Sequence, residues 1–568
     1  MSELRPRRAL PEKRVLFLIA TAAVLAASFP MFFGALMTPE GAVFLRSNYP
    51  WDSNQYFAFM RVGFNGDWLF TNLLTSEEHP RILLMPFFVA LGRVARLWRE
   101  LSGGTAENGG SLAWRFIPLT YHLSRMVLTF LLAWALYVLV VQITPHRARR
   151  LWMVAVALFA GGWGSAEYLM TESHTLTSCL QFPHFSASLC LYVLSGASFL
   201  AAMKRDWRPK ERRDAGARFV FSWGAVAAFC GFGLAWLHPF DLPPLGLLLG
   251  CVFGLSWWRL RRFPTRLFMV GALFLSFAAL PSVYQWWVSR SHPVFQAIHA
   301  SNVMRWTKPF QVFTELEVLL AFGLLGTWTL FRRGRRPENL FLAVWAISGF
   351  AILFVPFSFQ RRQIEGLPIV LALASFPFVE GFVVQPLSRM RRRLPFLCRR
   401  RAFRRLRHAA WAVLLIALLP KTIDTLHHKG FAYFTIPNDY LYLPAKELEA
   451  LEWLEANGSP DQAVWSARWR GNRLPFVSGL RAFVGHGVMT AEYDAKQLWT
   501  RELFEMRMEA AEFWRLVRQY RVGYLMWIQT DAQAMGADFD PGRVDPRLRE
   551  ALVFENSLAK IWRLTEPE

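Results

Sequence analysis

The sequence predicts an α-helical, multi-pass membrane protein with a small α/β domain at its C-terminal end, and three observations carry that prediction. Apolar residues make up 54% of the 568 positions, with 50 Phe and 25 Trp. They gather into runs of membrane-crossing length as far as Pro420, and beyond it the runs become short and mixed. The lysines and arginines, which set a formal net charge of +23, fall in short bursts between the apolar runs. That scatter argues against a nucleic-acid partner, which would need the basic residues on one face or domain.

A bilayer core takes roughly 20 apolar residues per helix. Runs of that order lie at 16–37, 117–143, 151–169, 182–202, 219–237, 242–258, 267–288, 312–331, 340–357 and 366–386. A shorter run at 409–420 brings the expected number to about eleven. Basic clusters at 5–14, 147–150, 204–218, 259–266, 332–336 and 389–407 occupy every second connection. The positive-inside rule then places the N-terminus in the cytoplasm of a cell (inner) membrane. The run 82–91 is short and continues into Arg93, Arg96 and Arg99 at helical spacing. Counting it as a span would put every later arginine cluster outside, so it reads as an amphipathic helix on the outer surface. Whether 409–420 crosses decides the side of the C-terminal domain, which this scheme makes extracytoplasmic. The first run has the basic flank and small residues of a signal peptide, but its length through 37 predicts an uncleaved anchor. Cys179, Cys190, Cys230, Cys251 and Cys398 show no metal or disulfide spacing and read as packing residues.

With this topology the polar chemistry concentrates on the outer face, in loops at 38–116, 170–181, 238–241, 289–311 and 358–365. Ionisable groups at that depth are costly unless they have a partner or a role. The long first loop carries Tyr49-Pro50-Trp51-Asp52-Ser53-Asn54-Gln55-Tyr56 and later Glu77-Glu78-His79-Pro80. Asp52 follows a proline and precedes an aromatic stretch that reads as a surface helix, so it either caps that helix or serves chemistry. Glu78 and His79 are further candidates. Glu172 and His174, two residues apart, have the donor types to share a divalent cation, and His184 follows closely. His238 and Asp241 stand at the same level, with loop capping as their alternative. Arg361 and Arg362 break the positive-inside pattern at an outer edge. Planar guanidinium groups suit bidentate phosphate contacts, and the alternative is snorkelling to headgroups or pairing with Glu365. Arg290, Arg305 and Lys308 add to the same positive field.

Across its first 420 residues the chain resembles the GT-C superfamily of polytopic glycosyltransferases, which includes protein mannosyltransferases, aminoarabinose transferases and oligosaccharyltransferases. The likeness lies in the single first span, the long acidic outer loop, the many-span region and the outer C-terminal domain. Segments around 52–56, 172–175 and 360–362 look like those of a poorly characterised bacterial branch. The resemblance implies transfer of a sugar from a polyprenyl-phosphate carrier to a glycan, lipid or protein acceptor on the outer face, with inversion. It implies Asp52 as the catalytic base, with Arg361 and Arg362 on the donor phosphate. It also implies a possible divalent ion, Mg or Mn, held by Glu172 and His174 with Asp52. Asp52 is followed by Ser53 rather than a second acid, which leaves base and ligand roles open at that position. Membrane lipids are the other expected partner.

After 420 the alternation of helix and strand predicts a small α/β domain over 421–568, following a membrane domain over 1–420. Helix is expected at 448–454, ended by Asn457-Gly458-Ser459-Pro460, and again at 510–520; strand is expected at 463–467, 482–484 and 522–527. Gly485-His486-Gly487 places a histidine in permissive backbone, as an acceptor contact or as a tight turn. No nucleotide-binding glycine fingerprint occurs. A transporter or lipid flippase is the main rival, but no internal repeat is visible. A non-catalytic scaffold is the second.

Overall fold

Once a segment is apolar throughout, its backbone groups must be satisfied internally, and the helix is the form that does this within one segment. The computed structural model describes residues 11–45, 49–103, 111–163, 170–207, 216–306, 310–334, 336–386, 400–435, 438–531 and 539–565. Cys398, Lys308 and parts of the basic clusters at 5–14, 204–218, 332–336 and 389–407 lie outside the described residues. Among the described residues, nine helices are long and apolar enough to cross a membrane: Glu12–Leu36, Ala113–Ile143, Pro183–Trp207, Arg218–Leu237, Pro239–Leu260, Thr265–Ser291, Gln311–Arg332, Pro337–Phe354 and Gln360–Val384. Arg404–Leu418 and Pro420–Ala432, bent by 44° at their junction, make a tenth if the pair is one span.

The described residues thus hold nine or ten of the expected about eleven, and the difference falls at 151–169. Helix there covers only Arg147–Phe159, 13 residues, or about 20 Å against a hydrocarbon core of about 30 Å. The apolar run continues, but the helix stops at Gly161-Gly162. Gly162 takes a left-handed φ of 96°, and both glycine N–H groups donate to Leu418 O, at 2.8 and 3.2 Å. A side chain at Gly161 would meet His174 Nε2 at 2.7 Å.

The chain divides into two compact units. The first comprises Met1–Phe29, Arg125–Val283 and Met304–Lys429. Its core is aliphatic and aromatic, with Trp345, Tyr192, Phe199 and Trp411 among the buried side chains. Glycines let its helices approach to backbone distance. A Cβ at Gly326 would lie 1.8 Å from Ala374 O, and one at Gly196 would lie 2.0 Å from the Trp345 ring. Trp345 donates its indole N–H to Tyr192 Oη at 3.0 Å. Arg125, fully buried, donates to Ala27 O at 2.8 Å and Cys179 O at 2.9 Å. Cys179, Cys190 and Cys230 are buried free thiols, and Cys251 is exposed.

The second unit comprises Pro30–Ser124, Tyr284–Val303 and Gly430–Glu568. The first-loop helix Pro50–Phe64 starts with proline at its first position, where the missing N–H costs nothing. It crosses the helix Pro86–Leu101, the one expected from the Arg93, Arg96 and Arg99 spacing. At the crossing a Cβ on Gly63 would sit 1.9 Å from Val89 O, and one on Gly92 1.9 Å from Met60 O. The strand Ala42–Phe44 pairs antiparallel with Tyr442–Pro444. Arg61 is buried and ion-paired with Glu455, and donates to Val477 O at 2.8 Å. Asn72 donates to Met489 O at 2.7 Å. Residues of the first loop and the C-terminal segment thus share one unit.

The C-terminal segment contains a five-stranded sheet with the order Arg481–Ala482, Ala463–Trp465, Val522–Ile528, Ala559–Arg563, Leu552–Glu555. The first three strands run parallel, and the last two add as an antiparallel hairpin. Helices Ala445–Asn457 and Ala510–Gln519 stand where expected. Arg468–Ser478 and the terminal hairpin are additional. The helix escapes notice because Gly471 and Pro475 read as loop residues, and the hairpin strands are short and interrupted by Glu555, Lys560 and Arg563.

Candidate functional site

Two carboxylate–histidine arrangements, one in each unit, account for most of the residues singled out from the sequence. In the second unit, Asp52 occupies the first turn of Pro50–Phe64. Its side chain does not cap the helix; Oδ1 instead lies 3.2 Å from His486 Nε2. His486 Nδ1 accepts the Val488 backbone N–H at 3.3 Å. That bond assigns the ring proton to Nε2 in the neutral form, so His486 donates to Asp52.

The surroundings hold both partners in place. The imidazole lies over Trp51, with centroids 5.2 Å apart and planes 31° apart. Trp51 in turn meets Trp469 edge-on at 4.8 Å. Asn472 donates to Trp51 O at 3.1 Å and accepts from Asn54 at 3.0 Å. The His486 side chain is 6% exposed and that of Asp52 34% exposed, so one carboxylate oxygen is fixed while the group remains open to an incoming molecule.

The neighbouring candidates are structural ties. His79 Nδ1 lies 2.8 Å from Glu77 O, and its Nε2 accepts the Asn72 N–H at 2.9 Å. Burial lowers the basicity of this imidazole below the ordinary histidine value, with Glu77 O pulling the other way. Glu78 forms an exposed ion pair with Arg521. The adjacent Glu77 pairs with the buried Lys496 at 2.7 Å.

In the first unit the turn His238-Pro239-Phe240-Asp241 is a single 3₁₀ turn over Pro239–Asp241. Side chains three apart eclipse in that geometry, which brings His238 Nδ1 within 3.2 Å of Asp241 Oδ1. Glu365 joins them, its Oε2 2.7 Å from the same nitrogen. Its other oxygen accepts from Ser188 at 2.6 Å. All three are 2% exposed or less. Gly366 makes the approach of Glu365 possible: its φ is +77°, and a Cβ there would lie 2.3 Å from the Tyr192 ring.

Glu172 lies within electrostatic reach of Arg362, His238 and Glu365. Burial raises its carboxyl above the ordinary range, and Arg362 and His238 draw it back down. His184 senses the charges of His238 and Arg362 and stacks near Phe185, 4.4 Å between centroids. The Arg362 guanidinium lies over the Phe240 ring at 4.7 Å. Arg361 turns elsewhere, toward Met170 Sδ at 3.2 Å and Trp306. His174 is fully buried, with Nδ1 2.6 Å from the Thr177 hydroxyl and Nε2 2.9 Å from that of Thr422. Burial holds its basicity down to a pKa of about 3, aided by Lys421.

Thus Glu172, His184, His238, Asp241 and Arg362 gather around one cluster, and His174 and Arg361 have separate contacts. Glu365 had entered the sequence reading only as a partner for the arginine pair. Its signal was an acid placed directly before the apolar run 366–386. Asn472 and Ser188 carry no signal in the sequence.

The apolar helices and the terminal sheet define a multi-pass membrane protein with a small sheet-bearing C-terminal segment. No family model and no curated protein matches the chain. Among solved structures, it is similar to the oligosaccharyltransferase AglB of Archaeoglobus fulgidus, in complex with an inhibitory peptide and a dolichol-phosphate. That match has a TM-score of 0.54 at 13% identity, over 93% of this chain and 72% of the other. The apo form of the Archaeoglobus enzyme gives 0.51 at 14%, over 94% and 72%. ArnT of Cupriavidus metallidurans, bound to undecaprenyl phosphate, gives 0.50 at 14%, over 96% and 97%. Both neighbours are GT-C membrane glycosyltransferases, and at these identities the likeness is one of fold.

Proposed function

We propose that this protein is a membrane glycosyltransferase that moves a sugar from a polyprenyl-phosphate donor to an acceptor on the outer face of the inner membrane. The observation that carries the reading is the Asp52–His486 pair: an accessible carboxylate, oriented by a histidine of fixed tautomer, in a fold shared with enzymes solved with lipid phosphates. Asp52 takes the proton of the acceptor hydroxyl or amine. The acceptor atom bonds to the sugar's anomeric carbon, the bond from that carbon to the phosphate oxygen breaks, and polyprenyl phosphate leaves with inversion. His486 occupies one lone pair of the carboxylate, which leaves the other oxygen to meet the acceptor. A base in this position contributes roughly 10²- to 10⁴-fold to rate.

Arg361 and Arg362 are assigned to the donor phosphate, where a guanidinium fork suits two oxygens. Arg290 and Arg305 add positive charge. A divalent ion, where one is used, would neutralise the departing phosphate. Glu172 has the right donor type for it. His174 fits poorly, because either ring nitrogen must give up a threonine hydroxyl to ligate.

The test is reconstitution of the purified protein in proteoliposomes with labelled sugars on polyprenyl phosphates. Appearance of label on an acceptor, with release of polyprenyl phosphate, is the expected result. Movement of intact donor across the bilayer without product would instead make the protein a flippase, and neither event would leave a scaffold.

A further inference from the structure

The His238, Asp241 and Glu365 cluster presents a charge problem that hydrogen bonding does not solve. Asp241 is 0% exposed, and its Oδ2 has no hydrogen-bond donor among the described residues; His238 Nε2 is likewise buried without a partner. Among the described residues, Ser188 is the one hydroxyl that donates to Asp241 or Glu365. Buried charges persist where they are paired or where they coordinate a metal.

The balance of the surrounding groups points to which. Three carboxylates, Glu172, Asp241 and Glu365, face one another through His238, with Arg362 as the nearby fixed cation. Protonated His238 and Arg362 together leave one negative charge over. A divalent cation bound to neutral His238 brings the same set to zero. The ligand atoms fit such an ion, since one nitrogen and two carboxylate oxygens all lie within 4.8 Å of one another. Metal–ligand bonds of about 2.0–2.2 Å place neighbouring ligands about 3–4 Å apart. The 3.2 Å separation of His238 and Asp241 already meets that, and the 2.7 Å separation of His238 and Glu365 needs to open by a few tenths of an ångström. An imidazole beside two carboxylates favours a first-row transition ion over magnesium or calcium.

We propose that His238, Asp241 and Glu365 form a binding site for a divalent transition-metal ion such as Mn²⁺ or Zn²⁺. The site is separate from the His174 position, and it does not depend on the transferase reading. Its binding lets the buried turns 238–241 and 360–366 hold their acids ionised without a proton, and it fixes the segment that carries Arg361 and Arg362.

The test uses the full-length protein in detergent, stripped with chelator and dialysed against Mn²⁺ or Zn²⁺, with metal content measured per chain. One equivalent is expected on the wild type. Asp241→Asn and Glu365→Gln should weaken binding at least about 10-fold, and His174→Gln should leave it unchanged. Mn²⁺ bound to His174→Gln protein should show hyperfine coupling to an imidazole nitrogen. That spectrum keeps the question decidable if the carboxylate variants fail to fold. No stoichiometric metal on the wild type overturns the site, as does unchanged affinity in well-folded Asp241→Asn protein. Absence of nitrogen coupling overturns it too.

Discussion

The two carboxylate–histidine arrangements are built from the same residue types and differ in water and in donors. Asp52 is one-third exposed, pairs with one histidine, and has its remaining oxygen open. Asp241 and Glu365 are sealed, share one histidine, and among the described residues have a single serine hydroxyl between them. Solvent screens the first pair, so its contribution to stability is small and its carboxylate is available for proton transfer. Removal of one partner from the second leaves bare charge in the interior, which is among the most destabilising of single changes. The same chemistry therefore reads as reactive where it is wet and as structural or cation-binding where it is dry.

Four changes test that contrast. The largest effect is expected from Asp52→Asn. Its amide oxygen still accepts the His486 N–H, so the fold should stay within about 0.5 kcal/mol of wild type. Sugar transfer should fall by roughly 10²- to 10⁴-fold, as measured by product formation per enzyme in proteoliposomes. His238→Ala should do the reverse kind of damage, costing about 3–5 kcal/mol through two buried carboxylates left without their shared imidazole partner. Denaturant unfolding in detergent measures it, and a loss under about 1 kcal/mol would remove the distinction between the sites. Gly366→Ala should cost about 1–3 kcal/mol, because the left-handed backbone and the Tyr192 ring both oppose a Cβ. The same unfolding assay checks it.

The most gradual effect is a pH dependence at His174. Its folded pKa of about 3 lies below the ordinary histidine value of 6.5. Between those values the unfolded chain binds a proton that the folded chain does not, so stability falls as pH drops below about 6.5. The slope approaches about 1.4 kcal/mol per pH unit. His174→Gln should flatten the unfolding midpoint between pH 6.5 and 4.5, and an identical acid limb in the variant would contradict the assignment.

Legibility from sequence followed the range of the interactions. Long apolar runs were readable because a helix in lipid depends on its own residues alone. The difference at 151–169 arises at Gly161-Gly162, where a left-handed glycine ends the helix inside an apolar run. In the second unit the strand Val522–Ile528 announced itself by its apolar sequence, whereas the hairpin from Leu552 to Arg563 depends on pairing with it. The sites divide in the same manner. His238 and Asp241 share one turn, so their proximity is local. Asp52 and His486 are 434 residues apart, and Glu365 reaches His238 only through packing beside Tyr192. No spacing rule joins such residues. The helix start at Pro50 and the Gly485-His486-Gly487 turn marked each partner separately.

The central claim is that Asp52 accepts the acceptor's proton during sugar transfer. The most direct measurement compares single-turnover transfer from a labelled polyprenyl-phosphate sugar by wild-type and Asp52→Asn protein with matched unfolding curves. The variant should react at least about 100-fold more slowly at unchanged stability. Equal rates from two equally stable proteins would contradict it.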